Sequence, residues 1–118
     1  MKRGVWGEQA AQAYLRKLGW RIVETNFRTR FGEIDIIAQQ GKYIVFVEVK
    51  TRKDDRFAAA REHVTSAKQR KILAAAEGWL QRHPSGLQPR FDVIEVYGEE
   101  GLCAPRRVNL LENAFGGA

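Results

Sequence analysis

The sequence is short of the residues that build disulfides and transition-metal centres. One cysteine, Cys103, stands among 118 residues. A single thiol closes no intramolecular disulfide, furnishes no Cys-rich zinc site, and fits a reducing compartment. Only His63 and His83 are present, which leaves no basis for a His-based transition-metal centre. No apolar run is long enough to span a bilayer. The opening Met1-Lys2-Arg3-Gly4-Val5-Trp6 is basic but runs into no apolar segment, so it does not read as a signal peptide. Repeats and low-complexity linkers are missing too. Together these absences predict a cytoplasmic protein of one domain, residues 1–118. A chain of this length buries about two-thirds of its unfolded surface, so its stability needs neither metal nor disulfide.

What is abundant is charge. Twenty Lys and Arg stand against 14 Asp and Glu, for a net charge of +6 and a pI of about 9.8. That balance favours polyanionic partners, nucleic acid first. With carboxylates plentiful and soft ligands scarce, any functional metal is expected to be hard, Mg²⁺ or Mn²⁺.

The most strongly patterned stretch runs from Tyr43 to Thr51. Tyr43-Ile44-Val45-Phe46-Val47 is a continuous aromatic and β-branched run, the composition of a strand covered on both faces. It ends in Glu48 and Lys50. Side chains alternate along a strand, so these two share a face with Ile44 and Phe46. Charge on a covered face is costly unless it is paired or bound to an ion.

Helical spacing of Gly7, Ala11, Tyr14, Leu15 and Leu18 predicts a helix over Gly4 to Leu18, stopped by Gly19. Strands are expected at Trp20–Arg28 and Glu33–Gln39, with a basic connection holding Arg28 and Arg30. A tight turn at Gln40-Gly41 leads into the Tyr43 strand. A second helix is expected over Val64–Arg82, with Thr65 as N-cap and Gln69, Ile72, Leu73, Ala76, Trp79 and Leu80 inward. His83-Pro84-Ser85-Gly86 ends it. Arg90–Tyr97 reads as a strand, Gly98 to Gly101 as a turn, and Arg106–Leu111 as a short last strand. Ala114-Phe115 reads as an apolar anchor. Arg52 to Arg61 reads as a mobile polar connection.

The hairpin register decides what meets Glu48. A two-residue Gln40-Gly41 loop sets Asp35 opposite Phe46, and a four-residue loop from Gln40 to Tyr43 sets it opposite Glu48. Both leave Asp35 on the face of Glu48 and Lys50, roughly 5 to 8 Å from Glu48. A three-residue loop puts it on the other face.

Paired carboxylates repel, and burial strengthens the repulsion. A divalent cation would remove that penalty. Asp35 and Glu48 would each give an oxygen, and the Val49 carbonyl another, with water completing the shell. Such a metal acidifies water and polarises a phosphate oxygen. Lys50 would orient the nucleophile and offset charge in the transition state. Glu8 could join the shell through water, and Gln69 could hold a water or phosphate. The bland alternatives stand beside these. Asp35, Glu48 and Lys50 could form a cross-strand salt bridge on a solvent face. Glu8 could merely favour the helix dipole, and Gln69 could bond a strand end.

Five blocks carry a family resemblance: Gly7-Glu8 with Ala11 and Tyr14-Leu15; Asn26-Phe27-Arg28 with Gly32-Glu33-Ile34-Asp35-Ile36-Ile37; Phe46-Val47-Glu48-Val49-Lys50-Thr51-Arg52; Val64 with Lys68-Gln69 and Lys71; and Arg90-Phe91-Asp92-Val93. In this order, and over about Gly4 to Phe115, the chain resembles the YraN-like family of bacterial proteins. That family is placed in the PD-(D/E)xK nuclease superfamily and is similar to Holliday-junction resolvases and restriction endonucleases. The resemblance implies an α/β fold with a restriction-endonuclease-like core, a mixed β-sheet flanked by helices. It implies Asp35, Glu48 and Lys50 as the signature acid, acid and lysine, with Glu8 and Gln69 at positions that assist metal or phosphate in related resolvases. Ile34 stands where the superfamily name has proline, which many members lack.

The leading expectation is an Mg²⁺- or Mn²⁺-dependent endonuclease that hydrolyses phosphodiesters in DNA, with branched structures among the candidate substrates. DNA is favoured over RNA, a membrane is not expected, and resolvase-like nucleases often act as homodimers. Arg28, Arg30, Arg52, Lys53, Arg56, Lys68, Arg70 and Lys71 would hold the backbone by charge without reading sequence. Two rivals are a nucleic-acid-binding module on a nuclease fold without turnover, and an interaction domain of a DNA-processing assembly.

Overall fold

In a computed structural model that describes residues 5–53, 64–99, 101 and 103–116, the apolar run from Tyr43 is β3 (Tyr43–Arg52). Before it come α1 (Val5–Lys17), β1 (Arg21–Arg28) and β2 (Glu33–Gln40). After it come α2 (Ser66–Arg82), β4 (Gln88–Tyr97) and β5 (Arg107–Phe115). The five strands form one sheet in the order β1-β2-β3-β4-β5, with β3 in the middle. Neighbours are antiparallel except β3 and β4, which run parallel in unbroken register from Tyr43–Gln88 to Arg52–Tyr97. Parallel neighbours need a crossover, and α2 lies in the chain between them. The expected α/β class, a mixed sheet flanked by helices, is the one observed, and it is consistent with a restriction-endonuclease-like core.

Alternation along β3 explains why both faces are covered. Ile44 and Phe46 join one cluster, with Ile72, Ala75, Ala76 and Trp79 of α2 and Phe91 and Val93 of β4. Val45 and Val47 join the other, with Ala11 and Leu15 of α1, Trp20, and Ile94 and Val96 of β4. Phe46 anchors the α2 side, edge-on to Trp79 and stacked on Phe91. Trp79 also donates its indole N–H to Glu24 of β1 at 2.9 Å. Among the described residues, no helix is long and apolar enough to cross a membrane.

Several local expectations shift. Leu18, expected on the inward stripe, is 50 % exposed, because α1 ends at Lys17 and the chain turns at Gly19 (φ 91°). The β2–β3 turn is Gly41-Lys42 rather than Gln40-Gly41, since Gln40 pairs with Tyr43. Glycine is needed first in the loop, where φ is +57°. Helix α2 begins at Ser66, and the Thr65 hydroxyl accepts from the Lys68 amide as an N-cap. Strand β4 starts at Gln88, two residues early. Strand β5 runs on to Phe115, through Asn113 at φ 52° and a register shift opposite Phe91 and Val93. That shift lets the expected anchor, Phe115, pack on Phe91. Of the Arg52–Arg61 connection, Arg52 belongs to β3 and residues 54–61 lie outside the described residues.

Candidate active site

The β2–β3 ladder fixes the position of Asp35. Pairing runs from Gln40–Tyr43 to Ile36–Val47. One step further along the same register brings Asp35 level with Glu48, the arrangement expected of the longer loop. Here the ladder stops, and the amide of Val49 donates to Asp35 Oδ2 at 2.8 Å. A carboxylate thus takes the amide where a backbone carbonyl would have continued the sheet.

Glu48 is only 5 % exposed. Two ammonium groups meet it: Lys50 Nζ at 3.8 Å from Oε2, and Lys68 Nζ at 2.5 Å from the same oxygen. Asp35 is pushed up from 3.8 to about 7, first by burial and then by the Glu48 charge, against the Val49 hydrogen bond. A proton on Asp35 can be shared with Glu48. Burial pulls the Lys68 ammonium down, but its hydrogen bond to Glu48 and the charges of Glu48 and Asp35 outweigh it and leave it raised.

Glu8 approaches from α1. Gly7 makes this possible, because a Cβ there would collide with the Thr51 hydroxyl on β3. Burial raises the Glu8 carboxyl, Asn26 opposes through a hydrogen bond, and the charges of Glu33 and Glu48 add to the rise. Asn26 holds a left-handed backbone (φ 53°), which asparagine tolerates better than most residues. Glu8, Asn26, Arg28 and Glu33 line a polar cleft of about 520 Å³ with Val5, Gln9 and Gln12.

The remaining candidates divide. Gln69 donates its amide to the Val64 carbonyl at 2.8 Å, which closes the start of α2. Arg52 is held by Glu95 at 3.2 Å. Glu95 in turn accepts from Tyr97 and Asn109. Arg28 pairs with Glu33 at 3.4 Å, and Arg30 lies over the exposed ring of Phe31. Lys53, Arg70 and Lys71 are exposed. Arg56 lies outside the described residues, as does His63. The β1–β2 connection and α2 pack closely: a Cβ at Gly32 would stand 2.8 Å from the Lys71 carbonyl oxygen. Arg30 and the Lys68–Lys71 stretch therefore sit on adjoining elements.

Sequence reasoning singled out Asp35, Glu48, Lys50 and Glu8, and the structure brings their elements together. It passed over Glu33, Asn26 and the helix approach at Gly7. The signal for Gly7 was a glycine on a buried helical stripe, next to an acid. For Asn26 it was an asparagine inside a strand.

Among the described residues, no three His, Cys, Asp or Glu side chains are grouped so as to hold a metal ion. A metal here would rest on Asp35 and Glu48, with main-chain oxygen and water. Two adjacent carboxylates, with Asp35 raised by burial and by the Glu48 charge, are a donor set suited to a hard divalent ion.

Comparison with known proteins agrees with the shared motifs. The profile of the Uncharacterised protein family UPF0102 matches residues 7–96. A UPF0102 protein of Symbiobacterium thermophilum is 49 % identical over 113 residues, covering 95 % of this chain and 94 % of the relative. One from Vibrio parahaemolyticus is 45 % identical over 110 residues, covering 92 % and 87 %. One from Geobacter sulfurreducens is 49 % identical over 115 residues, covering 95 % and 87 %. With most of its length matched, and with Glu8, Asp35, Glu48, Lys50 and Lys68 inside the matched span, the chain belongs to the UPF0102 family.

Proposed function

We propose that this protein is a nuclease of the PD-(D/E)xK type that hydrolyses DNA phosphodiesters with a divalent metal ion, with branched structures among its candidate substrates. The observation that carries this reading is the pairing of Asp35 with the buried Glu48. Burial first, and then repulsion by the Glu48 charge, push Asp35 up to about 7, so the two acids stand together at a cost to the metal-free fold. Structure alone gains nothing from such repulsion, whereas a cation site needs it. Asp35, Glu48 and the Val49 carbonyl would hold Mg²⁺ or Mn²⁺, which when bound supplies Lewis acidity toward phosphate and a more acidic water.

The chain's own residues do the rest. Lys50, one side chain along from Glu48, steadies the attacking water and offsets charge growing on the phosphate oxygens. Glu8, its carboxyl raised by burial, orients water at the edge of the site. Exposed Lys53, Arg70 and Lys71, with Arg28 and Arg30, draw in the DNA backbone and position it. Arg52 takes a smaller share, since Glu95 holds it. Gln69 serves mainly to fix the start of α2.

The test is a cleavage screen on junction, flap, single-stranded and duplex DNA, and on RNA, with Mg²⁺ or Mn²⁺. Wild-type protein is expected to cut, and Asp35→Ala and Lys50→Ala are expected to bind without cutting. Equal cleavage by both variants removes the assignment. A second reading, binding without turnover, is favoured by the contact of Lys68 with Glu48, which occupies the oxygen a metal would use. It predicts salt-dependent DNA binding and no cleavage with any divalent ion.

A further inference from the structure

The cation nearest to Glu48 is not the lysine of its own strand. Lys68 reaches Oε2 at 2.5 Å, while Lys50 stands at 3.8 Å. The two lysines differ in freedom. Lys50 extends from the central strand and its side chain is 23 % exposed. Lys68 stems from the first turn of α2, where Thr65 caps its amide at 3.2 Å, and its side chain is 44 % exposed. Its backbone is fixed, and its long stem can swing into solvent.

Charge bookkeeping at the site is simple. Above about pH 7, with Asp35 and Glu48 both ionised, the pair carries two negative charges, and Lys50 and Lys68 carry two positive ones. Among these four side chains the metal-free charges then balance, with Glu8 at the edge of the site. A divalent ion adds two positive charges beside two ammonium groups, and it competes with Lys68 for the Glu48 carboxylate. One ammonium must leave, and the more exposed and less confined one is Lys68. Outside, on the same helical turns, exposed Arg70 and Lys71 mark where a phosphate backbone would lie.

We propose, on the nuclease reading above, that Lys68 is a tethered counter-ion that holds Glu48 in the metal-free protein and moves to a substrate phosphate when the divalent ion takes its place. The device couples the two ligands. Metal frees Lys68 for DNA, and DNA draws Lys68 away from the metal site. By linkage each ligand must tighten the other by the same factor. The site thus holds metal more tightly once DNA has drawn Lys68 away.

Calorimetric titration of Mn²⁺ into the full-length protein tests this without reference to activity. In the absence of DNA, Lys68→Met and Lys68→Gln are expected to bind Mn²⁺ about tenfold tighter than wild type, because a charged competitor is gone. Lys68→Arg keeps the charge and is expected to stay weak. Adding a phosphorothioate DNA duplex, which keeps the backbone charge and resists cleavage, should tighten Mn²⁺ binding to wild type. It should do so several-fold less for the Met and Gln variants. Thermal melts establish that each variant is folded. If both neutral variants bind Mn²⁺ no tighter than wild type, the counter-ion role is wrong and the metal site survives. If no form binds Mn²⁺ with or without DNA, the nuclease reading fails and the counter-ion role fails with it.

Discussion

Replacing Asp35 by asparagine is expected to stabilise the metal-free protein, with a pH dependence that the structure specifies. The folded state holds the Asp35 proton up to about 7, against an ordinary value of 3.8. Well below pH 4, folded and unfolded chains both carry that proton and the group contributes nothing. From about pH 4 to pH 7 the unfolded chain has lost the proton and the folded chain keeps it, so stability falls as pH rises. Above pH 7 the full cost is present. The gap between 3.8 and about 7 corresponds to at most about 4 kcal/mol. Asparagine removes this titration while its side-chain oxygen can still accept the Val49 amide.

The advantage of Asp35→Asn over wild type should therefore grow by about 2.5 kcal/mol between pH 5 and pH 8. Urea denaturation in the presence of a chelator, at several pH values across that window, measures it directly. The urea slope should not change, since the surface exposed on unfolding is the same. If Asp35→Asn and wild type keep a constant difference from pH 5 to pH 8, the carboxylate pair is not strained. The reasoning that marks it as a cation site then fails.

Other substitutions should behave differently. Asp92 is fully buried and accepts Arg90 Nε and Nη2 at 3.0 and 2.9 Å, and the Asn113 amide at 2.9 Å. Asp92→Ala is expected to cost about 3 kcal/mol, near the low end for a broken buried pair because Arg90 keeps Gln40 and Glu112. Differential scanning calorimetry should show the midpoint falling by about 10 °C. Gly32→Ala places a methyl 2.8 Å from the Lys71 carbonyl, so the β1–β2 connection must move off α2. A loss of about 1 to 3 kcal/mol is expected, with weakened DNA binding in a filter assay at low salt. Thr65→Ala removes the cap on Lys68 and should cost about 1 kcal/mol in chemical denaturation.

The fold was legible where local chemistry and burial agree. The Tyr43–Val47 run had the composition of a strand covered on both faces, and strand alternation put Glu48 on the face of Phe46. Hairpin parity then carried Asp35 to the same place even though the turn was misplaced by one residue. The slip has a simple cause: Gln40-Gly41 and Gly41-Lys42 both contain the glycine, and only backbone geometry says that the glycine comes first. Long-range facts were out of reach. Nothing near Lys68 announces that its ammonium meets Glu48, because that contact depends on how α2 lies across the sheet. Nothing near Asn113 announces that β5 continues past Leu111, because a positive φ and a register shift carry it there.

Asp35 and Asp92 show how structure separates what sequence leaves alike. Each is an aspartate among apolar residues on a strand. Asp92 has an arginine two residues away on its own strand and a third donor from β5, so nearly all its acceptor capacity is used. Asp35 has one amide and a neighbouring carboxylate. The first arrangement strengthens the fold through pairing. The second weakens it through burial and then repulsion, on β2 beside the central strand, where apolar residues would pack without penalty. A chain that keeps both is using Asp92 to hold the sheet together. On the proposed nuclease reading Asp35 serves a ligand that brings positive charge with it, so metal affinity and pH-dependent stability should change together at Asp35 and not at Asp92.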